Sequence, residues 1–353
     1  MYTAHFGLRE PPFTLTPNPA YVYFSHHHQE ALAHLLYGTG ENGGFVQLTG
    51  EVGTGKTTLV RTLLEQRLEN VDIALCLNPQ LTVKDLLATV CDELGATRPG
   101  TAAQPDTFED ALQFLSSALP VSKPSPTTLK PWLDALNAHL LQTHAAGRRT
   151  VLIIDEAQLL SREVLEQVRL LTNLETTRHK LLRIILVGQP ELREMLARPD
   201  LRQLAQRITA RYHLLPLNRR ETAAYIGHRL QVAGGRTDLF TRSARREVYR
   251  RSSGIPRLIN VICDRALLGA YTQGAKRITP RHVQRAAREA LPGSVGQPAR
   301  PRWLAFSVGL AGLAMLGISL EPRYAEPLVA YAQSVAASLT AVGRSVIGPP
   351  EKP

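Results

Sequence analysis

The chain has 353 residues, of which 44% are hydrophobic and 20% are charged, and this composition excludes a wholly disordered or collagen-like protein. Its three cysteines, Cys76, Cys91 and Cys263, are far apart and form no C-x-x-C pair, which argues against a disulfide framework or a zinc knuckle. The formal net charge of +11 indicates an anionic partner, either nucleic acid or a lipid surface.

The N-terminal part of the chain predicts an arm followed by an α/β domain. Residues 1–24 are rich in proline and aromatic residues and predict an extended arm, whose rings could wall a ligand pocket. Over residues 25–216 strands alternate with helices, which predicts a parallel sheet covered on both faces, with a Pro/Ser/Thr-rich insert at about 98–130. The predicted strands are 44–50, 71–78, 150–155 and 181–188, and the predicted helices are 27–37, 56–70, 83–94, 132–143 and 162–174.

Only helical patterns follow Pro216. They predict a small all-α lid over residues 217–291, with helices at 220–233, 241–252, 256–269 and 279–290. The lid holds sixteen Lys and Arg residues against five Asp and Glu, so its excess of positive charge is as large as that of the whole chain. The basic character is therefore concentrated in the lid.

A charge-free segment, WLAFSVGLAGLAMLGISL at 303–320, follows a linker at 292–302. As a helix it would be about 27 Å long, which matches the hydrocarbon core of a bilayer. We expect one transmembrane helix, with the preceding residues in the cytoplasm and a short periplasmic tail at 321–353, because Arg300 and Arg302 directly precede the span. A buried core helix or a helix lying in the lipid surface is the alternative.

The strongest motif is GEVGTGKT, which lies between a predicted strand and a predicted helix and matches G-x-x-x-x-G-K-[ST]. Its glycines let backbone N–H groups face phosphate oxygens, Lys56 is placed to reach the β and γ phosphates, and Thr57 is placed to bind Mg²⁺. The predicted nucleotide-binding residues of this segment are Gly50, Glu51, Val52, Gly53, Thr54, Gly55, Lys56, Thr57 and Thr58.

Two acids, Asp155 and Glu156, end the apolar run VLIIDE. In a parallel sheet the end of this strand lies beside the phosphate loop. We expect Asp155 to hold Mg²⁺ and Glu156 to polarise the attacking water. The alternative is that one of the acids only caps the following helix.

Three arginines and one glutamine are further candidates. Arg207 and Arg211 lie after the last predicted strand, where a finger that acts on a neighbouring subunit's nucleotide is expected. Arg257 begins a lid helix and can reach the γ phosphate within its own chain, and Gln189 follows a strand where it can contact that phosphate or align water. The alternatives are ordinary surface charges and a loop amide.

The run His26, His27, His28 is interpreted as a polar helix start near the pocket and not as a metal site, because adjacent histidines on a helix point in different directions. One of them could contact the nucleotide.

Six segments, in order over about residues 1–290, resemble one family: FGLREPPFTLTPNP, LTGEVGTGKTTL, LIIDEAQLL, VGQPEL, QRITARYHLLPL and SGIPRLIN. They are similar to general secretion pathway protein A, an AAA+ ATPase of bacterial type II secretion. The resemblance implies an α/β P-loop NTPase core of the AAA+ (ASCE) class with a helical lid, ATP and Mg²⁺, a homo-oligomeric ring and an inner-membrane anchor. It implies the hydrolysis set Lys56, Thr57, Asp155 and Glu156, with Gln189 at the first sensor, Arg207 as the finger and Arg257 at the second sensor.

The expected function is therefore that of a membrane-anchored AAA+ ATPase that helps to assemble or position an envelope secretion complex, with that complex's subunits as partners. The insert at 98–130 is longer than the family pattern, and residues 321–353 are too few for a peptidoglycan-binding domain, so peptidoglycan binding is not expected. Two alternatives remain: a DNA-associated AAA+ ATPase whose basic lid binds nucleic acid, and a nucleotide-binding scaffold without turnover.

Overall fold

The computed structural model describes residues 1–16, 18–40, 43–66, 68–77, 81–96, 129–176 and 179–290. Most of the predicted insert, the linker, the predicted span at 303–320 and the tail lie outside these ranges. Within the described ranges no helix combines the length and the apolar character that crossing a bilayer requires.

One parallel sheet forms the centre of the fold. Its five strands are β1 Phe45–Gly50, β2 Val71–Cys76, β3 Arg149–Ile154, β4 Leu182–Gly188 and β5 Ile208–Leu214, in the order β2-β3-β4-β1-β5. Every neighbouring pair is parallel, as predicted, and β1, β3 and β4 are buried almost throughout because helices cover both faces. Since β4 lies between β1 and β3, its carboxyl end lies between those of the two strands that carry the phosphate loop and the acidic pair.

The helices are α1 Tyr2–Phe6, α2 His26–Thr39, α3 Lys56–Glu65, α4 Val83–Leu94, α5 Lys130–Ala145, α6 Arg162–Leu171, α7 Pro190–Leu196, α8 Arg202–Arg207, α9 Arg219–Val232, α10 Arg242–Ser252, α11 Pro256–Thr272 and α12 Pro280–Ala290. One face of the sheet packs on α4, α5 and α6 through leucines such as Leu86 and Leu136, and the other packs on α2 and α3 through Leu35, Leu59 and Leu63. The apolar side chains that predicted the helices therefore form the two layers of the core.

Side-chain caps explain where several helices begin. Thr82 forms a capping box with Asp85 before α4, and Asn218 forms one with Glu221 before α9. Ser161 accepts a hydrogen bond from the backbone N–H of Val164 and so caps α6. The predicted start of α4 agrees with the structure because of its capping box, and its predicted end agrees because Gly95 adopts the left-handed conformation there. The four helices α9 to α12 confirm the helical character predicted after Pro216.

The N-terminal arm differs from its prediction, because it contains the short helix α1 and a 3₁₀ turn at Pro19–Tyr21. It packs on the helical lid: the Phe13 and Phe240 rings are 5.9 Å apart in edge-to-face contact, and the Tyr2 hydroxyl donates to Asp264 at 2.5 Å. Phe13 is fully buried in this contact. The arm is ordered by apolar contacts with a distant part of the chain, which local sequence does not reveal.

The expectation that the strand 181–188 is the last one is wrong, since β5 follows it and pairs with β1. Arg207 is the last residue of α8 and Arg211 lies within β5. β5 is an edge strand and only its ends are buried, so it tolerates the polar residues that hid it from the sequence pattern.

Candidate functional site

The phosphate loop, residues 50–57, connects β1 to α3 and lies between β5 and the lid. Gly53 has a φ of +81°, and a Cβ atom there would lie 2.5 Å from the Cβ of Arg257. A Cβ at Gly50 would lie 2.8 Å from the carbonyl oxygen of Leu214. Glycine is required at both positions because the neighbouring backbone or lid residue leaves no room for a side chain.

Lys56 is the first residue of α3 and is only 6% exposed. Its Nζ donates to the carbonyl oxygens of Gly50 at 2.8 Å and Glu51 at 3.0 Å. Burial lowers the pKa of the Lys56 amine, although the Glu156 and Asp155 carboxylates act in the opposite direction. The N-terminus of α3 has no side-chain cap, so a buried amine and free backbone N–H groups are available together for phosphate oxygens.

Thr57 and Asp155 are in contact at the carboxyl edge of the sheet. The Thr57 hydroxyl donates to Oδ2 of Asp155 at 2.7 Å, and Oδ1 of the same carboxylate accepts the backbone N–H of Glu156 at 2.9 Å. Asp155 is 3% exposed. A hydroxyl and a carboxylate are the hard oxygen donors that Mg²⁺ prefers, so these two residues fit that ion.

Glu156 is held by two glutamine amides. Its Oε2 accepts from Nε2 of Gln158 at 2.6 Å and from Nε2 of Gln189 at 3.1 Å, and Oε1 of Gln158 accepts the backbone N–H of Gln189 at 3.0 Å. Burial raises the pKa of the Glu156 carboxyl, but these hydrogen bonds and the Lys56 charge outweigh burial and leave the pKa below its usual value. The acid is therefore an ionised acceptor.

The sequence predicts that Gln189 contacts the γ phosphate or aligns water. In the structure its side chain contacts Glu156 instead. Gln158 was not anticipated, although it stands two residues after the acid in the DEAQ sequence. The Gln158 side chain has room in this position because residue 188 is a glycine. A Cβ atom on Gly188 would lie 2.8 Å from Oε1 of Gln158.

Of the three candidate arginines, the structure brings only Arg257 to the loop of the same chain. Its backbone N–H donates to the carbonyl oxygen of Gly53 at 3.2 Å, and the residue lines the cavity. Arg207 instead donates to the side chains of Thr172, at 2.5 Å, and Asn173. Arg211 donates to the carbonyl oxygen of Ala205, and among the described residues neither Arg207 nor Arg211 lines this cavity.

The cavity of about 460 Å³ extends from the phosphate loop to a second group of residues supplied by the arm and the lid. Arg229 of α9 is 6% exposed, and its guanidinium lies 5.1 Å from the ring centre of Tyr21 and 5.5 Å from that of Tyr225. It donates to the carbonyl oxygen of Thr14 at 3.2 Å, while its Nε has no partner within the described part of the chain.

This end of the cavity bears out the expectation that arm aromatics wall a pocket, since Tyr21, Tyr23 and Phe24 line it. Arg229 was missed, because a lone arginine in a basic lid gives no signal. The Tyr225 hydroxyl donates to Oδ1 of Asn260 at 2.9 Å, which leaves the Asn260 amide group as a donor beside the cavity.

His28 supports the phosphate loop from behind. Its Nε2 donates to the carbonyl oxygen of Thr54 at 3.0 Å, and its Nδ1 accepts the Ser25 hydroxyl at 2.6 Å. Burial lowers the pKa of His28, which favours the neutral ring that this pattern requires. The sequence suggested that one histidine contacts a nucleotide, and the structure places this one against the loop itself.

Comparisons with known proteins find an AAA domain and a relative of this chain. Residues 39–196 match the AAA domain family. The chain is 52% identical over 289 residues to general secretion pathway protein A of Aeromonas hydrophila, covering 82% of this chain and 48% of that protein. The chain therefore contains an AAA domain and is similar to general secretion pathway protein A. It spans about half the length of this relative.

Solved structures show the same fold at low identity. Cdc6p from Pyrobaculum aerophilum aligns with a TM-score of 0.56 at 17% identity, covering 79% of this chain and 70% of that one. The Aeropyrum pernix ORC1 protein, solved in complex with DNA, aligns with a TM-score of 0.55 at 14% identity, covering 79% and 69%. These likenesses show the fold alone, which is that of an AAA+ P-loop NTPase with a parallel α/β sheet.

Proposed function

We propose that this chain is an ATPase that binds ATP with Mg²⁺ at the carboxyl edge of its sheet and hydrolyses the terminal phosphate. The observation that carries the proposal is the grouping of a buried Lys56, the Thr57–Asp155 pair and the ionised Glu156 at one edge. A scaffold that only binds nucleotide has no need of a carboxylate in the position of Glu156.

Each of these residues has a defined part in hydrolysis. Lys56 exchanges its two carbonyl contacts for phosphate oxygens, and the backbone N–H groups at the start of α3 bind the same phosphates. Thr57 and Asp155 would hold Mg²⁺, which supplies positive charge to the phosphate oxygens when it is bound. Arg257, joined to the loop through Gly53, adds charge from the lid.

Glu156 is the proposed general base. To accept a proton from water, its carboxylate exchanges at least one of the two amide hydrogen bonds for the water molecule. Gln189 and Gln158 then determine how readily the carboxylate turns, because both bind the same oxygen atom. The described arrangement corresponds to a state in which the base is held by protein amides.

The nucleoside part of ATP is proposed to occupy the end of the cavity between the arm and the lid. That end offers aromatic faces from Tyr21 and Tyr225 together with donors from Arg229 and Asn260. Flat aromatic and guanidinium groups stack well on a nucleobase. The arm would therefore close the pocket on the side opposite the phosphate loop.

The identity to general secretion pathway protein A supports the proposal of a role in an envelope secretion complex. We propose that the chain acts as a homo-oligomeric ring, with Arg207 rather than Arg211 as the finger toward a neighbouring subunit, and that residues 303–320 anchor it in the inner membrane. The charge-free length of that segment supports the anchor. A DNA-associated ATPase is the second candidate, favoured by the concentration of arginine in the lid.

Nucleotide binding and phosphate release test the ATPase proposal. Lys56→Ala should abolish ATP binding, because it removes the buried amine at the loop. Glu156→Gln should bind ATP and lower turnover by about 100-fold or more, because it removes only the base. The exposed Lys276→Ala and Glu194→Gln are matched controls that should behave as wild type. Wild-type turnover by Glu156→Gln would refute the proposed base.

Membrane fractionation separates the secretion role from the DNA role. A protein anchored through 303–320 should stay in the membrane fraction after high-salt and carbonate washes, and a periplasmic reporter fused after Pro353 should be active. Release by these washes, together with salt-sensitive binding of the chain to duplex DNA, would favour the second candidate.

A further inference from the structure

Two histidines and a carboxylate converge at the start of α2, outside the nucleotide cavity. Nδ1 of His27 lies 3.3 Å from Oε2 of Glu30, and Nδ1 of His26 lies 3.5 Å from the same oxygen. All three ligand atoms lie within 4.8 Å of one another. Among the described residues this is the group of His, Cys, Asp and Glu side chains that could hold a metal ion.

Helix geometry explains why the three side chains meet. Glu30 follows His26 by four residues and His27 by three, so it lies one turn above both on the same side of α2. The two imidazole rings are 6.0 Å apart at 82°, and both present Nδ1 to the carboxylate. The expectation that the adjacent histidines diverge is therefore wrong for this pair, and only His28 turns away, toward Thr54.

We propose that His26, His27 and Glu30 bind a divalent transition-metal ion of the Zn²⁺ type. Imidazole nitrogen with carboxylate oxygen is a donor set that such ions prefer, whereas Mg²⁺ favours oxygen alone. Bonds of about 2.0–2.1 Å in a tetrahedral site place neighbouring ligand atoms about 3.4 Å apart. The two distances to Glu30 match this spacing, and water completes the coordination on the exposed side.

Tyr212 gives the site a supporting hydrogen bond from another element. Its hydroxyl, in β5, donates to Oε2 of Glu30 at 2.7 Å and lies 3.3 Å from Nδ1 of His27. A hydrogen-bonded carboxylate of this kind is held in position for a metal ion.

An ion at this position fixes the turn of α2 that also holds the phosphate loop. His28 belongs to the same first turn, and its contact with Thr54 reaches the loop of the nucleotide site. The hydrogen bond from Tyr212 to Glu30 already connects β5 to α2. An ion bound by Glu30 would strengthen this connection, because it would hold the Glu30 carboxylate in place.

Equilibrium dialysis of the full-length, tag-free chain against Zn²⁺, without nucleotide, tests the site. We expect one Zn²⁺ per chain, and Co²⁺ in its place should give visible absorption bands from histidine and carboxylate coordination. His27→Ala and Glu30→Gln should each lose this ion, and Glu30→Gln keeps the size of the side chain and a hydrogen-bond acceptor for Tyr212. The matched control is His34→Ala, since His34 lies on the same helix and stacks on Tyr212 at 5.0 Å without reaching the cluster.

Circular dichroism and ATP binding establish that each variant is folded. Failure of the folded wild type to bind Zn²⁺ stoichiometrically would overturn the proposal. So would stoichiometric binding that survives in Glu30→Gln and in His26→Ala/His27→Ala, or binding that is lost in Asp155→Asn and kept in His27→Ala, which would put the ion at the phosphate site. None of these outcomes depends on ATP turnover.

Discussion

The two ends of the nucleotide cavity are built in different ways. The phosphate end is made of residues that stand together in two short stretches of sequence, at 50–57 and 155–156, and its contacts are hydrogen bonds to charged groups. The nucleoside end is assembled from residues far apart in the chain: Arg229 touches Tyr21 and the carbonyl oxygen of Thr14, and it is buried between aromatic rings.

The difference indicates a division of work between the two ends. Charged groups that act on a phosphate change the rate of the chemical step, because charge develops there in the transition state. In the proposed binding mode, aromatic faces and a buried cation at the nucleoside end contact a part of ATP that does not react. Substitution of the base Glu156 at the phosphate end should therefore lower turnover, whereas substitutions at the nucleoside end should lower affinity.

The largest expected effect comes from Arg207, which lies outside the cavity of its own chain. Arg207→Ala should lower turnover by about 1000-fold while ATP binding stays normal, because a finger contributes only to the transition state of the neighbouring site. Phosphate-release and nucleotide-binding assays measure the two quantities. The exposed Arg202→Ala, on the same helix, is the control.

Mixing experiments show whether this arginine acts between subunits. Subunits with Arg207→Ala keep an intact loop, and subunits with Lys56→Ala keep an intact finger, so the mixture should recover activity at interfaces that combine them. A wild type that is monomeric and whose specific activity does not depend on protein concentration would contradict a shared site.

An intermediate effect is expected at the nucleoside end. Arg229→Met keeps much of the length of the side chain but removes the cation between Tyr21 and Tyr225. It should weaken ATP binding by about tenfold, or about 1.4 kcal/mol, and leave turnover at saturating ATP unchanged. Titration calorimetry and saturation kinetics provide the two numbers. The control is Arg219→Met, at an exposed position at the start of the same helix, which should change neither ATP affinity nor turnover. A fall in turnover without loss of affinity in Arg229→Met would contradict the distinction between the two ends.

The same distinction explains how much of the molecule could be predicted from its sequence. The phosphate loop and the acidic pair were predictable because a turn of glycines and a strand that ends in acids use neighbouring residues. The sheet strands β1, β3 and β4 were predictable because burial on both faces demands continuous apolar runs. The helix α4 was predictable to both ends because the capping box at Thr82 and the left-handed Gly95 that follows Leu94 are local signals.

The missed features depend on contacts between distant residues. Gln158, which follows β3, accepts a hydrogen bond from Gln189, which follows β4, and Arg229 of the lid donates one to Thr14 of the arm. No local sequence pattern distinguishes Gln158 and Arg229 from ordinary polar side chains. The edge strand β5 lacks an apolar run because only its ends are buried. The helix α1 is held by lid residues that follow it by more than two hundred positions, such as Asp264.

The smallest expected effect concerns His28, which supports the phosphate end from behind. Burial lowers its pKa in the folded chain, so the unfolded chain binds the proton more readily. The resulting stabilisation is fully present above the ordinary histidine pKa of about 6.5 and is lost as the pH falls toward the folded value. Between the two values one proton changes the free energy of unfolding by about 1.4 kcal/mol per pH unit.

His28→Gln isolates this contribution. Its amide can still donate to the carbonyl oxygen of Thr54 but does not titrate in this range. The charged and titratable neighbours that act on His28 are Glu221 and His27, and the variant leaves both unchanged. Urea unfolding of the nucleotide-free chain should show a smaller loss of stability on going from pH 8 to pH 5.5 in the variant than in the wild type. Because His213 and His282 also have lowered pKa values and remain in both proteins, only the difference between the two curves measures His28. Identical curves would mean that the proton binds His28 equally well in the folded and unfolded chains, and that the ring at the back of the phosphate loop is not held neutral by burial.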